Sequence, residues 1–289
     1  MPSALPLAGR TALVTGGARR LGRSIALTLA EAGADVAITF RNSQSDAAQT
    51  AAEIAALGLR SVAIVCDVRS ESSVRDAIAQ VIAAFGRIDI LVNNAAVFAS
   101  AALESLTLDQ WDAVFDTNAR GPFLVAREAL PHLRSAHGRI INMGSLGGLH
   151  AWAGHAHYCA SKAAVHMLTQ AMAKAFAPDV SVNCVAPGWI EMKTARDSVE
   201  SAAPQPSQSE TAQKAGSQTD RTVGSEVERS AGSEADRRVE LQAARFAAKT
   251  PMGRNGAAND VAQAVLFFAT ATQFITGQIL TVDGGLGLG

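Results

Sequence analysis

Tyr158 is the only tyrosine of the chain, and Lys162 follows it four residues later in the stretch GHAHYCASKAAVHML. On a helix, positions i and i+4 share a face, so the phenol and the ammonium point the same way. A free phenol titrates at about 10 and is a poor acid–base group at neutral pH. A fixed positive charge beside it favours the phenolate and moves that value toward neutrality, which would make Tyr158 a proton donor of use to an enzyme. A rim tyrosine packed on a lysine stem would produce the same spacing, so the pair needs company. Ser145 supplies some: it lies thirteen positions before Tyr158, in INMGS, after a strand-like run. A strand end and a helix can bring two hydroxyls together, one holding a carbonyl oxygen while the other protonates it. Asn118, in FDTNARGPFLVA, falls inside a predicted helix. A polar amide is mildly unfavourable there and wants a reason, such as holding a water beside the lysine. Pro187 and Gly188 in PGWIEMKT make a sharp turn after another strand-like run.

These groups need a scaffold that returns repeatedly to one edge. The runs TALV, ADVAITF, SVAIVCDV, IDILVNN, GRIINM, VSVNCVAP and GQILTV are short and rich in Val and Ile. Helical runs separate them, among them a long one from about Thr107 to Arg134 and another from about His155 to Phe176. The alternation predicts one doubly wound α/β domain whose parallel sheet, of about seven strands, is covered on both faces. Ligands of such folds sit at the C-terminal strand edge, where Asn93, Asn94, Ser145 and Pro187 all fall.

The first strand runs into a glycine-rich turn, TALVTGGARRLGRSIAL, with Thr15, Gly16 and Gly22 between strand and helix. Such a turn lets the backbone approach a pyrophosphate, and the helix start offers free N–H groups and a positive dipole end. An ordinary tight turn would look similar, but its place directly after the first strand favours a dinucleotide. The second strand ends ITFRNSQ. An NAD site tends to place an acid here; this chain has Phe40, then Arg41 and Asn42. Arg41 can meet a 2′-phosphate with paired N–H groups, helped by Arg19 or Arg20, so NADPH is expected over NADH. The alternative is that these arginines are merely solvated. Asp67, in CDV, fits equally the adenine amino group and an acid near a helix N-cap.

Composition narrows the class. The chain has 289 residues, 48% hydrophobic, with a formal net charge of -1. That is enough for a large α/β core and gives no drive toward nucleic acid or an anionic membrane. Cys66, Cys159 and Cys184 are far apart and suggest a reducing, cytoplasmic setting. The start, MPSALPLAGR, does not read as a signal peptide, and no apolar run reaches the length of a membrane span, about 18 residues. Between Met192 and Leu241 there is no Leu, Ile, Met, Phe, Trp or Tyr, and the octads GSQTDRTV, GSEVERSA and GSEADRRV follow one another from Gly216 to Val239. A disordered or weakly helical insert at about 198–240 is expected, because too few apolar groups are present to offset ordering entropy.

Taken together, TGGARRLG, CDV, NNAA, Asn118, Ser145, Tyr158-x-x-x-Lys162, PGWI and the closing TGQILTVDGG resemble the short-chain dehydrogenase/reductase family, in its order and over nearly the whole chain outside the insert. The resemblance implies a Rossmann-like domain, a homodimer or homotetramer, and a small carbonyl substrate. Tyr158 would be the general acid in reduction, Lys162 would lower its pKa and bind the nicotinamide ribose, Ser145 would orient the substrate, and Asn118 would support a proton relay. Leu21, Val68, Ala95 and Ile190, within those motifs, would join Thr15, Gly16, Arg19, Arg20, Gly22, Arg41, Asn42, Asp67, Asn94, Pro187 and Gly188 around the cofactor. The insert falls where the family carries its substrate lid. Two departures matter. Arg20 stands where the family usually has the middle glycine, as in the pteridine reductase branch, and Phe98 stands four after Asn94, where that branch stacks a pterin ring. Against that branch, Ser145 replaces its usual aspartate, so a carbonyl or oxoacyl reductase is expected first and a pteridine reductase second. A catalytically silent NADP sensor is a reading of another class, which the intact set Asn118, Ser145, Tyr158 and Lys162 argues against.

Phe98, His150, His155 and Trp189 are candidates for the substrate pocket, with a core role for Phe98 and solvent exposure for the histidines as alternatives. His150, His155 and His157 show no metal-site spacing, and no metal is expected. Cys159 has no catalytic cysteine motif around it.

Overall fold

The computed structural model describes residues 5–191 and 241–288, and the insert expected at about 198–240 lies outside them. Nine strands are present among the described residues: β1 (Thr11–Val14), β2 (Asp35–Phe40), β3 (Ser61–Val65), β4 (Ile90–Asn93), β5 (Arg139–Met143), β6 (Ser181–Pro187), β7 (Ile190–Glu191), β8 (Gly256–Ala257) and β9 (Ile279–Val282). The helices are α1 (Arg20–Glu31), α2 (Gln44–Ala56), α3 (Glu71–Phe85), α4 (Leu108–Phe115), α5 (Gly121–Ser135), α6 (Ala156–Phe176) and α7 (Ala258–Thr270), with a further helical stretch over 241–249. Seven strands form one sheet in the order β3-β2-β1-β4-β5-β6-β9, every pairing parallel.

The strands are apolar on both faces because both faces are covered. Side chains alternate across a strand, and the two cores divide accordingly. Ala12, Val14, Ile90, Val92 and Ile141 pack on one side with Ile25 and Leu29 of α1 and Val261, Val265 and Phe268 of α7. Leu13, Leu91 and Ile140 pack on the other with Val74, Ile78 and Val81 of α3, Leu124 and Leu133 of α5 and Met172 of α6. At the N-terminal edge of the sheet the buried Asp89 accepts from Arg10 at 2.8 Å, from Arg87 at 2.6 and 2.7 Å and from the Thr11 amide at 2.9 Å. Burial opposes its ionisation, but the two guanidiniums hold its pKa below the usual carboxylate value.

Two features depart from the sequence expectation. The long helical run is present over residues 108–135, but it is not a plain α-helix: Asp116–Arg120 forms a π turn between α4 and α5, with Asn118 inside it. Such turns insert one extra residue and re-aim the side chains they carry. The second departure is a small sheet, in which β7 pairs with β8. Among the described residues no helix is long and apolar enough to cross a membrane.

Strand order reverses between β1 and β4, since the chain adds β2 and β3 on one side and β5, β6 and β9 on the other. Open α/β sheets leave a crevice at such a point, outside the carboxyl ends of the strands.

Candidate active site

A cleft of about 1020 Å³ occupies that crevice. At one end it is formed by Gly16, Arg19, Arg20, Leu21 and Gly22 of the β1–α1 turn. Gly16 has a φ of +63°, which a side chain would disfavour. A Cβ on Gly22 would run into the Gly16 carbonyl oxygen and lie 2.6 Å from Asn94 Nδ2. The turn is stitched to the end of β4. Asn94 Nδ2 donates to the Thr15 and Gly16 carbonyls at 2.9 and 3.1 Å, and Thr15 Oγ1 accepts the Asn94 and Ala95 amides, each at 3.0 Å. Thr15 is thereby a buried brace and not a wall of the cleft. The start of α1 has no side-chain cap and no acid in its first turn. A glycine cradle beneath an uncapped helix N-terminus, flanked by Arg19 and Arg20, fits the pyrophosphate of a dinucleotide.

Arg20 has a φ of +54°, in the left-handed region that glycine tolerates best. The glycine usual at this place is therefore a backbone preference, which Arg20 meets at a cost of about 1–2 kcal/mol.

Beyond the turn, Arg41, Asn42, Asp67 and Val68 line the cleft. Ser43, Ser45 and Asp46 join them, which sequence reasoning did not single out because they belong to the start of α2 and carry no motif. Arg69 grips the Asp67 carboxylate, with Nη2–Oδ2 at 2.6 Å and Nε–Oδ1 at 2.9 Å, and this fork lowers the Asp67 pKa. Ser70, not Asp67, caps α3 by accepting from the Ser73 amide. Asp67 lies three residues before that cap, with its carbonyl accepting from the Ser70 amide, and it also lines the cleft.

At the other end stand Ser145, Tyr158 and Lys162, with Asn94 and Ala95 between, and Pro187, Gly188 and Ile190 along the rim. Ser145 lies two residues after β5 and begins a short turn in which its Oγ accepts from the Gly147 amide at 3.1 Å, leaving its own O–H to donate. Lys162 is buried and its Nζ donates to the Met143 carbonyl at 2.8 Å, 5.9 Å from the centre of the Tyr158 ring. Burial pushes Lys162 down to about 8. Burial also pushes Tyr158 up to about 12, and the group that acts against it is the Ser145 hydroxyl. The expectation that the ammonium brings the phenol toward neutrality is therefore not met in the chain by itself: desolvation of the hydroxyl outweighs it.

Asn118 is buried and outside the cleft lining. Its Oδ1 accepts from the Val97 amide at 2.8 Å, and its Nδ2 donates to the Val97 carbonyl at 2.9 Å and to Ser161 Oγ at 3.1 Å. Its side chain holds the loop that carries Phe98 against α6. The π turn explains why a helix can aim an amide so deeply.

The substrate candidates separate. Phe98, His155 and Trp189 line the cleft, and His150 does not. His150 is exposed beside the C-terminal turn, where a Cβ on Gly287 would lie 3.2 Å from its Nε2. Trp152, not anticipated, also lines the cleft and lies 6.3 Å from the Tyr158 ring, centre to centre. Trp189 stacks on Phe246 of the 241–249 stretch at 4.4 Å, and Gln242 reaches the same wall. His157 is buried.

The arrangement can hold a dinucleotide along the crevice and present a proton-bearing phenol, a serine hydroxyl and an ammonium to a carbonyl at one end. Known proteins resemble the chain in sequence and fold. The family model described as short chain dehydrogenase matches residues 10–203, and a second, described as Enoyl-(Acyl carrier protein) reductase, matches 226–287. The 3-oxoacyl-(acyl-carrier-protein) reductase FabG of Staphylococcus aureus is 33% identical over 280 residues, covering 96% of this chain and 98% of its own. The hydroxynaphthalene reductase arp2 of Aspergillus fumigatus is 32% identical over 279 residues, covering 96% and 92%. A gluconate 5-dehydrogenase from Burkholderia cenocepacia, solved with NADP and tartrate, superposes with a TM-score of 0.79 at 32% identity, covering 99% of this chain and 98% of its own. With the sheet order, the crevice and these matches in agreement, the chain belongs to the short-chain dehydrogenase/reductase family of oxidoreductases.

Proposed function

We propose that this protein is an NADPH-dependent reductase that converts a ketone to a secondary alcohol. The observation that carries the reading is Tyr158, Ser145 and Lys162 at one end of a cleft whose other end is a glycine cradle flanked by arginines. A bound reduced nicotinamide supplies the hydride. Everything else falls to the chain. The Ser145 hydroxyl donates a hydrogen bond to the substrate oxygen and fixes its direction. The Tyr158 hydroxyl, protonated across the neutral range because its pKa is about 12, hands its proton to that oxygen as the carbon is reduced. Lys162, tied to the Met143 carbonyl, keeps a positive charge beneath the phenol and favours the phenolate as it forms. Asn118 acts at a distance, by holding the Phe98 loop and Ser161 of α6.

NADPH is preferred because Arg41, Arg19 and Arg20 border the cleft, with Ser43 and Ser45 beside them as further donors to a phosphate. The relatives' names point the same way: one reduces 3-oxoacyl groups and one solved neighbour holds NADP. A pteridine reductase is the second reading, favoured by Arg20 in the turn and by Phe98 beside Tyr158. The oxoacyl thioester S-acetoacetyl-N-acetylcysteamine, simple ketones and dihydrobiopterin, each tried with NADPH and with NADH, separate these readings. The expected result is ketone-dependent NADPH oxidation, a kcat/KM at least about tenfold lower with NADH, and a rise in the KM for NADPH in Arg41→Ala. Oxidation driven by dihydrobiopterin alone selects the second reading, and equal use of both cofactors removes the role given to Arg41.

We also propose a homo-oligomer and a cytoplasmic setting, on the family resemblance.

A further inference from the structure

Four rings surround the place where a carbonyl must meet Tyr158. Phe98 meets the Tyr158 ring edge-on at 4.8 Å and 85°, and lies nearly parallel to the His155 ring at 4.8 Å and 23°. Trp152 lies nearly parallel to Tyr158 at 6.3 Å and 20°, and crosses His155 at 6.2 Å and 88°. The contacts close a circuit: two near-parallel pairs set at right angles, each ring restrained by two others. Their origins are separate. Phe98 comes from the loop after β4, held by Asn118 through Val97. Trp152 lies over the Ser145 turn, where a Cβ on Gly147 would sit 3.3 Å from its ring. His155 sits at the residue before α6. All four rings line the cleft.

We infer that the substrate is a ketone carried on or fused to a flat aromatic ring. This rests on the reductase reading above and specifies its substrate. Crossed ring faces reward a rigid planar body, which can stack on one wall and meet another edge-on without ordering any torsion. A ketone on a flexible alkyl thioester gains only non-directional contact from the same walls and must freeze its chain to make it. The reaction balances as before: hydride from reduced nicotinamide to the carbonyl carbon, the Tyr158 proton to the oxygen, ketone to alcohol, NADPH to NADP⁺. Phe98 and Trp152 are the residues that set the preference.

The test compares three probes with the full-length protein and NADPH: 2-tetralone, whose bicycle contains an aromatic ring; 2-decalone, of the same skeleton but saturated and puckered; and S-acetoacetyl-N-acetylcysteamine. The expected kcat/KM for 2-tetralone exceeds that for each of the others by about tenfold or more. Phe98→Leu, which keeps an apolar side chain but no ring, brings the tetralone-to-decalone ratio toward one. Trp152→Leu does the same and stands in if the first variant fails to bind NADPH. A wild-type ratio near one, a better kcat/KM for the thioester, or a ratio unmoved in both variants overturns the inference and leaves the reductase reading standing. No turnover of any of the three by protein that binds NADPH overturns both.

Discussion

Tyr158 holds its proton more tightly than a free phenol, and Lys162 holds its own less tightly than a free ammonium, because desolvation at the head of the cleft disfavours the charged form of each. The consequence depends on the direction of the reaction. Reduction needs Tyr158 protonated and Lys162 charged, and both forms exist at low pH. As pH rises, the first to be lost is the Lys162 proton, at about 8, and the Tyr158 proton follows at about 12. The kcat/KM for ketone reduction should therefore be flat below about 8 and fall above it. Lys162→Gln should lower kcat by about 100-fold and abolish that limb. A profile that rises through pH 8 would contradict the assignment. The types and spacing of Ser145, Tyr158 and Lys162 were readable because they sit on motifs, but the sign of the Tyr158 shift was not. Burial is a tertiary quantity, and from four residues of spacing only the charge could be weighed. Trp152 was missed for a related reason: it lies in a loop, with no periodicity to mark the face it presents.

At the scale of elements, α6 carries more than the pair. Tyr158, Lys162 and His166 recur every four residues along one stripe. His166 is buried under the Ser145 turn, its Nε2 3.5 Å from the Ser145 amide, and a Cβ on Gly148 would lie 2.6 Å from its Cε1. Burial, aided by the Lys162 charge, pushes its pKa from 6.5 to about 4. The folded state thus binds fewer protons than the unfolded one between those values, so the contribution is whole above 6.5 and is lost as pH falls through about 4. The loss amounts to about 3 kcal/mol. The urea midpoint should drop across this window, and His166→Gln should flatten the drop; the lowered pKa of buried His157 leaves a remainder in the same direction. An unchanged slope in the variant would rule His166 out as its source. The seven sheet strands were legible because Val and Ile runs bounded by glycines and helices have few other uses. The π turn at Asp116–Arg120 was not, since its composition continues a helical pattern and only Asn118 looked out of place. The pairing of β7 with β8 involves two residues on each side, too few for a pattern.

For the molecule as a whole, the reversal of strand order fixes where the cleft must be, and that much followed from the alternation of elements alone. The outer surface was not legible in the same way. Among the described residues β9 pairs with β6 alone, and Leu280 on it is 38% exposed. Nearby in sequence, Phe267 is 49% exposed and Phe274 is 97% exposed. An open strand edge with apolar neighbours is a surface that soluble proteins usually cover. Light scattering should give the mass of two or four chains, and a monomer at micromolar concentration would contradict the proposed assembly.

The central claim is that Tyr158 delivers the proton. The most direct measurement is NADPH oxidation by Tyr158→Phe beside the wild type, with NADPH binding followed by fluorescence. Loss of ketone-dependent turnover by about 100-fold or more, with cofactor binding retained, is the predicted result. Undiminished turnover in the variant would contradict the account.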